Sequence, residues 1–423
     1  MTKQQAIKLL KEKYLSNMKE DSKLFVGIEL EFPIVETNGN KTNIEVTKNL
    51  FRTLANLSDF EVEKIDDNQN PIQLIHCSSK DRILFELSYN TIEFAFERAC
   101  SINEVAKRFE DYLKIIQPIL QENNHEIQGH GIHPLWKEND NSPVKIERYK
   151  MLMAFLAMNG TGMKTHPYPS YGAFICGNQV QLDVRRDNYI RIINAFNKIE
   201  AAKAYLFSNS EFSSEAWDTK IARDIFWEES LNGYYRENVG IFPKDYQSEE
   251  EFFNNLARTA IFTVTREGKS YYFKPIRVED YLDQKEIIAY TTDGKEKNIN
   301  PVKEDLKQHR SYQFQDLTAR GTVEFRSVCT QPLETTFAPI AFELGLFVQL
   351  EKLENYLEHC SFLKNEKQDY RNLRKKYSKK ILSKKEKEKI KTFSKELLEI
   401  SKSGLLERGY EEEKYLIIDK ELN

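Results

Sequence analysis

Little in this sequence places it in a familiar class at first sight. Its five cysteines (Cys77, Cys100, Cys176, Cys329, Cys360) are scattered, odd in number and form no CxxC pair. Neither a zinc site nor a disulfide framework is therefore expected, and the thiols read as reduced and structural. There is no GxxxxGK[ST] loop, no GxGxxG and no kinase motif set, which excludes a P-loop NTPase, a Rossmann enzyme and a protein kinase. No Ser-His-Asp or Cys-His signature stands out. No apolar run approaches the roughly 18 residues of a membrane helix. The opening MTKQQAIKLLKEKYL has neither an apolar h-region nor a small-residue cleavage site, so a cytoplasmic protein without a membrane partner is expected. Neither sign of charge dominates. There are 62 Lys and Arg against 66 Asp and Glu, a net of −4, and that balance demands neither nucleic acid nor an acidic substrate.

What is present is a long chain with ample material for a core. Of its 423 residues 40% are hydrophobic and 12% aromatic. Helical spacing over 1–20 puts Ile7, Leu10, Tyr14 and Leu15 on one face. The period then switches to two at 24–35, which means a strand. Further helices are expected at 45–57, 102–123, 147–158, 187–207 and 334–358. A strand–turn–strand is expected at 82–97, and single strands at 125–133, 173–184 and 321–328. The stretch 159–172, rich in Gly, Pro and Tyr, reads as a loop, and 208–320 as a mixture of short elements. No repeat or low-complexity linker divides the chain. Residues 364–389 carry twelve basic and four acidic side chains. That run reads as a solvated helical face or loop insertion, with a nucleic-acid or phosphate-rich partner as the sharper alternative.

The strands carry the chemistry. In VGIELEF, Val26, Ile28, Leu30 and Phe32 point one way, and Gly27, Glu29 and Glu31 the other. In LFELSYNTIEFAFE, Ile92, Phe94 and Phe96 form the apolar side. A turn centred on Tyr89-Asn90 would set Glu86 directly opposite Glu93, where like charges are destabilising unless something positive lies between them. In GNQVQLDV, Val180, Leu182 and Val184 face a core while Gln179, Gln181 and Asp183 face away. In GTVEFRS, Val323 and Phe325 leave Glu324 and Arg326 on the other side. Each strand alone could be an ordinary solvated face. As a set they carry acids and amides where solvated faces would mix in Lys and Thr. Such half-buried strands fit an antiparallel sheet with one face on helices and the other on a cleft. Five glutamates on one sheet suit two or three hard divalent cations such as Mg²⁺, and with them phosphate chemistry. Arg223, Arg236, Arg320 and Arg326 are the candidate cations, Arg326 first because it shares a face with Glu324. His130 and His133, in GHGIHP, read as structural.

Nine stations between residues 26 and 416, each short, fall in one familiar order: VGIELEF, FELSYNTIEF, GHGIHPLW, ERYKMLMAFL, NQVQLDV, LFSNSEF, ARDIFW, HRSYQFQDLTARGTVEFRS and SGLLERGYEEEKYL. Together they resemble the plant and proteobacterial type of glutamate–cysteine ligase, within the glutamine synthetase-like superfamily of carboxylate–amine ligases. The resemblance implies an α+β fold: a curved, mainly antiparallel sheet with helices on its convex face, in one catalytic domain over 1–423. It implies ATP-dependent formation of γ-glutamylcysteine through a γ-glutamyl phosphate, as in glutathione biosynthesis, by a monomer or homodimer. By position it makes Glu29, Glu31, Glu86, Glu93 and Glu324 the Mg²⁺ ligands, with Glu93 and Arg326 catalytic. Gln179, Gln181 and Arg320 would face the nucleotide, and Arg223, Trp227 and Arg326 the substrates. Two departures bear on the amine. Ser327-Val328-Cys329 stands where the family has Gly-x-Asp, and Glu228-Glu229 where aspartates usually follow the tryptophan. They keep open a ligase of the same fold acting on another amine or a peptide, as in a natural-product pathway. A nucleic-acid-binding protein using 364–389 is a further alternative.

Overall fold

In the computed structural model, which describes residues 3–20, 23–366 and 369–417, fifteen strands form three sheets. The largest contains β1 (Val26–Glu36), β2 (Phe60–Ile65), β3 (Pro71–His76), β4 (Arg82–Phe85), β5 (Thr91–Ala99), β6 (His125–Ile127), β7 (Gly177–Asp183), β14 (Gln315–Leu317) and β15 (Thr322–Cys329). A second sheet is built from β9 (Ala260–Arg266), β10 (Lys269–Arg277), β11 (Ile287–Tyr290) and β12 (Glu296–Ile299). A two-stranded ribbon pairs β8 (Val239–Gly240) with β13 (Tyr312–Gln313). The large sheet runs β14-β15-β7-β1-β5-β4-β3-β2, with β6 on the end of β1. Every pairing in it is antiparallel, so the expected sheet type holds and a doubly wound parallel sheet is excluded.

Alternation decides its two faces. Val26, Ile28, Leu30 and Phe32 of β1, Ile92, Phe94 and Phe96 of β5, Val180 and Leu182 of β7, and Val323 and Phe325 of β15 are all buried on one side. The helices Ile102–Gln121, Ala338–Val348, Glu200–Leu206 and Tyr189–Lys198 pack there. Phe109 of the first stacks on Phe32 at 5.5 Å and meets Phe94 edge-on at 5.1 Å. Ser101 caps that helix by accepting from the Glu104 N–H, and an N-cap of this kind is worth about 1 kcal/mol.

Several expected elements are shorter than their patterns. The strand expected over 125–133 stops at Ile127, because the chain turns in tightly against the segment after β15. A β-carbon on Gly129 would lie 2.4 Å from the Gln331 carbonyl oxygen. The single helix expected over 334–358 is two, Ala338–Val348 and Leu350–His359, bent at Gln349; that over 187–207 breaks at Ile199. Among the described residues no single helix is long and apolar enough to cross a membrane.

Most lysines of the basic segment are exposed, Lys364, Lys375, Lys379, Lys384, Lys385 and Lys387 among them, but its two arginines are not. Its residues 367 and 368 lie outside the described residues, but Arg371 and Arg374, on the helix Tyr370–Tyr377, are buried. Arg374 binds Glu200 at 2.6 Å and spans both oxygens of Asp224 at 2.7 and 3.0 Å. Lys376 and Lys389 both bind Glu366. Glu200 and Asp224, distant in sequence, draw Arg374 inward, and local composition cannot show that.

Candidate active site

The polar face of the large sheet forms the floor of a cleft of about 340 Å³. The helices Glu147–Leu156 and Ala222–Glu228, together with Tyr171, Arg310 and Tyr312, form its walls. Glu29, Glu31, Glu86, Glu93, Glu324, Gln179, Arg223, Trp227 and Arg326 all line it.

Register places them. Glu31 lies directly opposite Glu93 across β1 and β5, and Glu29 is one repeat along β1. The expected opposition of Glu86 and Glu93 is not found: the residue facing Glu93 on β4 is Leu84. The turn is longer than two residues. Glu86 lies beyond the end of β4, its N–H still bonded to the Thr91 carbonyl, and Leu87 takes the left-handed conformation at φ 56°. Parity nonetheless brings Glu86 to the same face. It lies close enough to Glu93 to raise that carboxyl, and the Tyr149 hydroxyl donates to Glu86 at 3.3 Å.

The glutamates are held by donors on β7. Gln179 Nε2 donates to Glu31 at 3.0 Å, and the Gly177 N–H to its second oxygen at 2.7 Å. Gln181 Nε2 donates to Glu29 at 2.9 Å. Both amides thus orient carboxylates, while Gln179 Oε1 is buried without a partner. Gly177 leaves room for Arg223: a β-carbon there would come within 2.5 Å of its Nη2, so the guanidinium would have to shift. Arg223 donates to the Val328 carbonyl at 2.8 Å, and its Nε is buried and unpartnered. Arg326 bridges to Glu324 at 2.8 Å. Trp227 stacks on Tyr312 with ring centres 5.1 Å apart and meets Tyr171 edge-on.

Charge is concentrated here. Burial, then Glu324, pushes Glu29 up to about 7 against the pull of Arg326. Burial, then Glu86, does the same to Glu31, to about 7, against Arg223. Glu93 is raised furthest, by burial and by Glu86, Glu29 and Glu31 together. Desolvation and like-charge neighbours both favour the neutral acid.

Of the proposed residues, Arg320 is not brought in. It sits exposed at the turn between β14 and β15, although its field still reaches Glu29. Gln181 is beside the cleft through its bond to Glu29. Arg236 lines a different cavity. His133 is structural, its Nε2 2.9 Å from the Ile34 carbonyl and its pKa lowered by burial to about 4. Sequence reasoning missed Asp316, which faces Glu324 across β14 and β15 and is pushed up to about 7 by burial. The period-two pattern of Gln315-Asp316-Leu317 was a signal for it. Tyr149, Asp224 and Asn232 were missed too, and no local pattern points to them.

The donors are carboxylate and amide oxygens throughout, which suits a hard divalent cation. Among the described residues no three acidic, cysteine or histidine side chains converge as a preformed metal cage. The residues fit Mg²⁺ in its usual protein setting, where one or two carboxylates hold an ion that substrate phosphates and water complete.

Comparison with known proteins follows the same lines. The family model described as glutamate-cysteine ligase family 2 matches residues 25–417. No curated protein matches in sequence. Among solved structures, the chain is similar to a glutamate–cysteine ligase of Francisella tularensis in complex with AMP. The TM-score is 0.50 at 13% identity, over 95% of this chain and 81% of that one. It also matches a bifunctional glutathione synthetase of Pasteurella multocida at a TM-score of 0.42 and 10% identity, over 97% of this chain and 48% of that one.

Proposed function

The chain belongs to glutamate-cysteine ligase family 2, and from that premise we propose that it is an ATP-dependent ligase joining the γ-carboxylate of glutamate to the amine of cysteine. The observation that carries this reading is the convergence of Glu29, Glu31, Glu86, Glu93 and Glu324 in one cleft. Carboxylates crowded there ionise only at a cost, which positive charge between them would offset, and a nucleotide's cations would supply it. Mg²⁺ held by these five would neutralise triphosphate oxygens and the charge moving onto the transferred phosphoryl group.

The chain's own residues do the rest. Gln179, Gln181 and the Gly177 N–H fix the orientation of Glu31 and Glu29, so little reorganisation is needed when substrate arrives. Arg326, which lines the cleft beside Glu324, would meet the anionic oxygens of the transferred phosphoryl. A γ-carboxylate oxygen of glutamate attacks the terminal phosphorus and ADP leaves. The amine then attacks the acyl carbon, the C–O bond to phosphate breaks, and the ammonium proton is released. The ring wall of Trp227, Tyr312 and Tyr171 keeps water from the acyl phosphate, which it would hydrolyse. Arg223 and Trp227 line the region for a substrate's carboxylate and side chain.

One observation keeps a second amine in view. Ser327, at the first departure from the family pattern, lines the cleft and spends its hydroxyl on buried Glu200 at 3.0 Å. The test is phosphate release with ATP, Mg²⁺ and glutamate against a panel of amines. Cysteine should give the highest kcat/KM, with serine, alanine and 2-aminobutyrate used less well. A pocket gains only about 1–3 kcal/mol per methylene-sized group. No stimulation by cysteine, with clear stimulation by another amine or a peptide, would replace cysteine in this reading.

A further inference from the structure

Behind the ribbon β8–β13 lies a second cavity, of about 230 Å³, whose lining includes three arginines: Arg236, Arg258 and Arg371. Tyr312 lines the active cleft and its neighbour Gln313 lines this cavity, so one short strand separates the two.

The arginines are unequally satisfied. Arg371 is 6% exposed and gives Nη2 to the carbonyls of Arg236 and Val239 at 2.9 and 2.7 Å. Its Nε is buried with no partner. A buried donor left unmade costs about 1–3 kcal/mol, and more on a charged group. Gly240, also in the lining, has φ +85° and no side chain to cover that edge. A β-carbon there would sit 3.3 Å from Glu228 Oε1, 3.4 Å from Arg371 Nη2 and 3.7 Å from its Nε, so the edge is shared with a carboxylate that Lys375 neutralises. Arg236 is exposed, and its guanidinium makes no hydrogen bond or ion pair among the described residues.

The acids nearby are already engaged. Glu237 is held by Arg258 at 2.5 Å and by Arg277 at 3.4 Å. Asp369 accepts from the backbone and side chain of Asn372. Glu228 is bound by Lys375 at 2.6 Å. Glu228, Asp369 and Glu237 all act on Arg371 from nearby, but among the described residues none of them forms an ion pair with Arg236 or Arg371 at this opening. Burial lowers the pKa of Arg371; Glu228 opposes this, Arg236 adds to it, and Asp369 and Glu237 oppose it further.

We propose that this cavity is a second ligand site, separate from the catalytic cleft, which takes a small anion bearing a carboxylate or phosphoryl group between Arg236 and the open edge of Arg371. Arginine's planar fork suits both groups. The volume is below the roughly 300–1,000 Å³ of pockets for drug-sized ligands, which limits the ligand to a small molecule. Phe242 and Pro243 beside the arginines can cover a short apolar body.

Hydrogen exchange read peptide by peptide tests this, because it separates the two sites. Inorganic phosphate and succinate are titrated in parallel into the full-length wild-type protein and into Arg236→Ala, whose side chain is exposed and whose loss should leave the fold intact. One or both anions should slow exchange over 236–243 in the wild type, and which one does so distinguishes the phosphoryl from the carboxylate source. The half-saturating concentration should rise about tenfold or more in Arg236→Ala, the loss of one charge-assisted bond. Arg236→Lys should recover part of it. No slowing over 236–243 in the wild type at tens of millimolar anion overturns the proposal. So does equal slowing in Arg236→Ala, or slowing confined to the strands of the cleft.

Discussion

Replacing Glu29 by Gln should stabilise the metal-free protein at alkaline pH while impairing catalysis. Glu29 is half-buried, bonded to Gln181 and faced by Glu324. Its carboxyl, ordinarily at 4.5, is pushed up to about 7. A group whose folded pKa is raised contributes stability that is complete below the unfolded value, and this is lost as pH rises through the folded one. Between pH 4.5 and 7 the wild type should therefore lose stability through this site. At about 1.4 kcal/mol per pH unit the loss approaches about 3 kcal/mol, and the partial contact of Glu29 with water brings the expectation to about 1–3 kcal/mol. The amide oxygen introduced by E29Q can still accept from Gln181, so little else changes. Denaturant unfolding without metal should show E29Q more stable by that amount at pH 8 and equal to wild type at pH 4. Added Mg²⁺ with ATP should raise the wild type more than the variant, and ATP turnover should fall at least a hundredfold, or about 3 kcal/mol of transition-state stabilisation. A variant less stable than wild type at pH 8, or a difference that does not vanish in acid, would refute the assignment of Glu29 to a repulsive carboxylate cluster.

Three other outcomes follow from the same geometry. Arg374→Lys should cost about 3 kcal/mol, because one ammonium cannot span both Asp224 oxygens and reach Glu200; it should also raise substrate KM through the helix that carries Arg223 and Trp227, and unchanged unfolding and kinetics would count against the clamp. Gly177→Ala should push Arg223 off its seat, costing about 1–3 kcal/mol and lowering kcat/KM, whereas parent-like activity and melting would show the contact to be soft. Near pH 7, with Glu29 and Glu31 each about half protonated, binding of Mg²⁺ with ATP should release about one proton. Calorimetry in buffers of different ionisation enthalpy reads this, and release should fade above pH 8; a release independent of pH would exclude these two as the titrating ligands.

The division between local and distant information runs through the site itself. Side-chain parity is a property of one extended strand, so VGIELEF alone puts Glu29 and Glu31 on one face and Val26, Ile28 and Leu30 on the other. The same holds for Glu93, Gln179, Gln181 and Glu324, which is why the acidic floor could be read from the sequence. Which residue stands opposite which is a matter of pairing between strands, set by turn length and core packing. The turn at 86–90 is longer than its residues suggest, so Glu93 faces Leu84 on one side and Glu31 on the other. The walls of the cleft lie further from local control: Tyr149 sits on an expected helix whose place over the sheet its own residues do not set, and Asp224 and Tyr312 arrive from the mixed stretch 208–320. The basic run 364–389 shows the limit most clearly. Its composition dictates cations, and cations by themselves seek water. Only the fold, by burying Glu200 and Asp224 some 150 residues away in the chain, makes the interior the lower-energy place for Arg374, because a buried charge is tolerated where an opposite charge is buried with it.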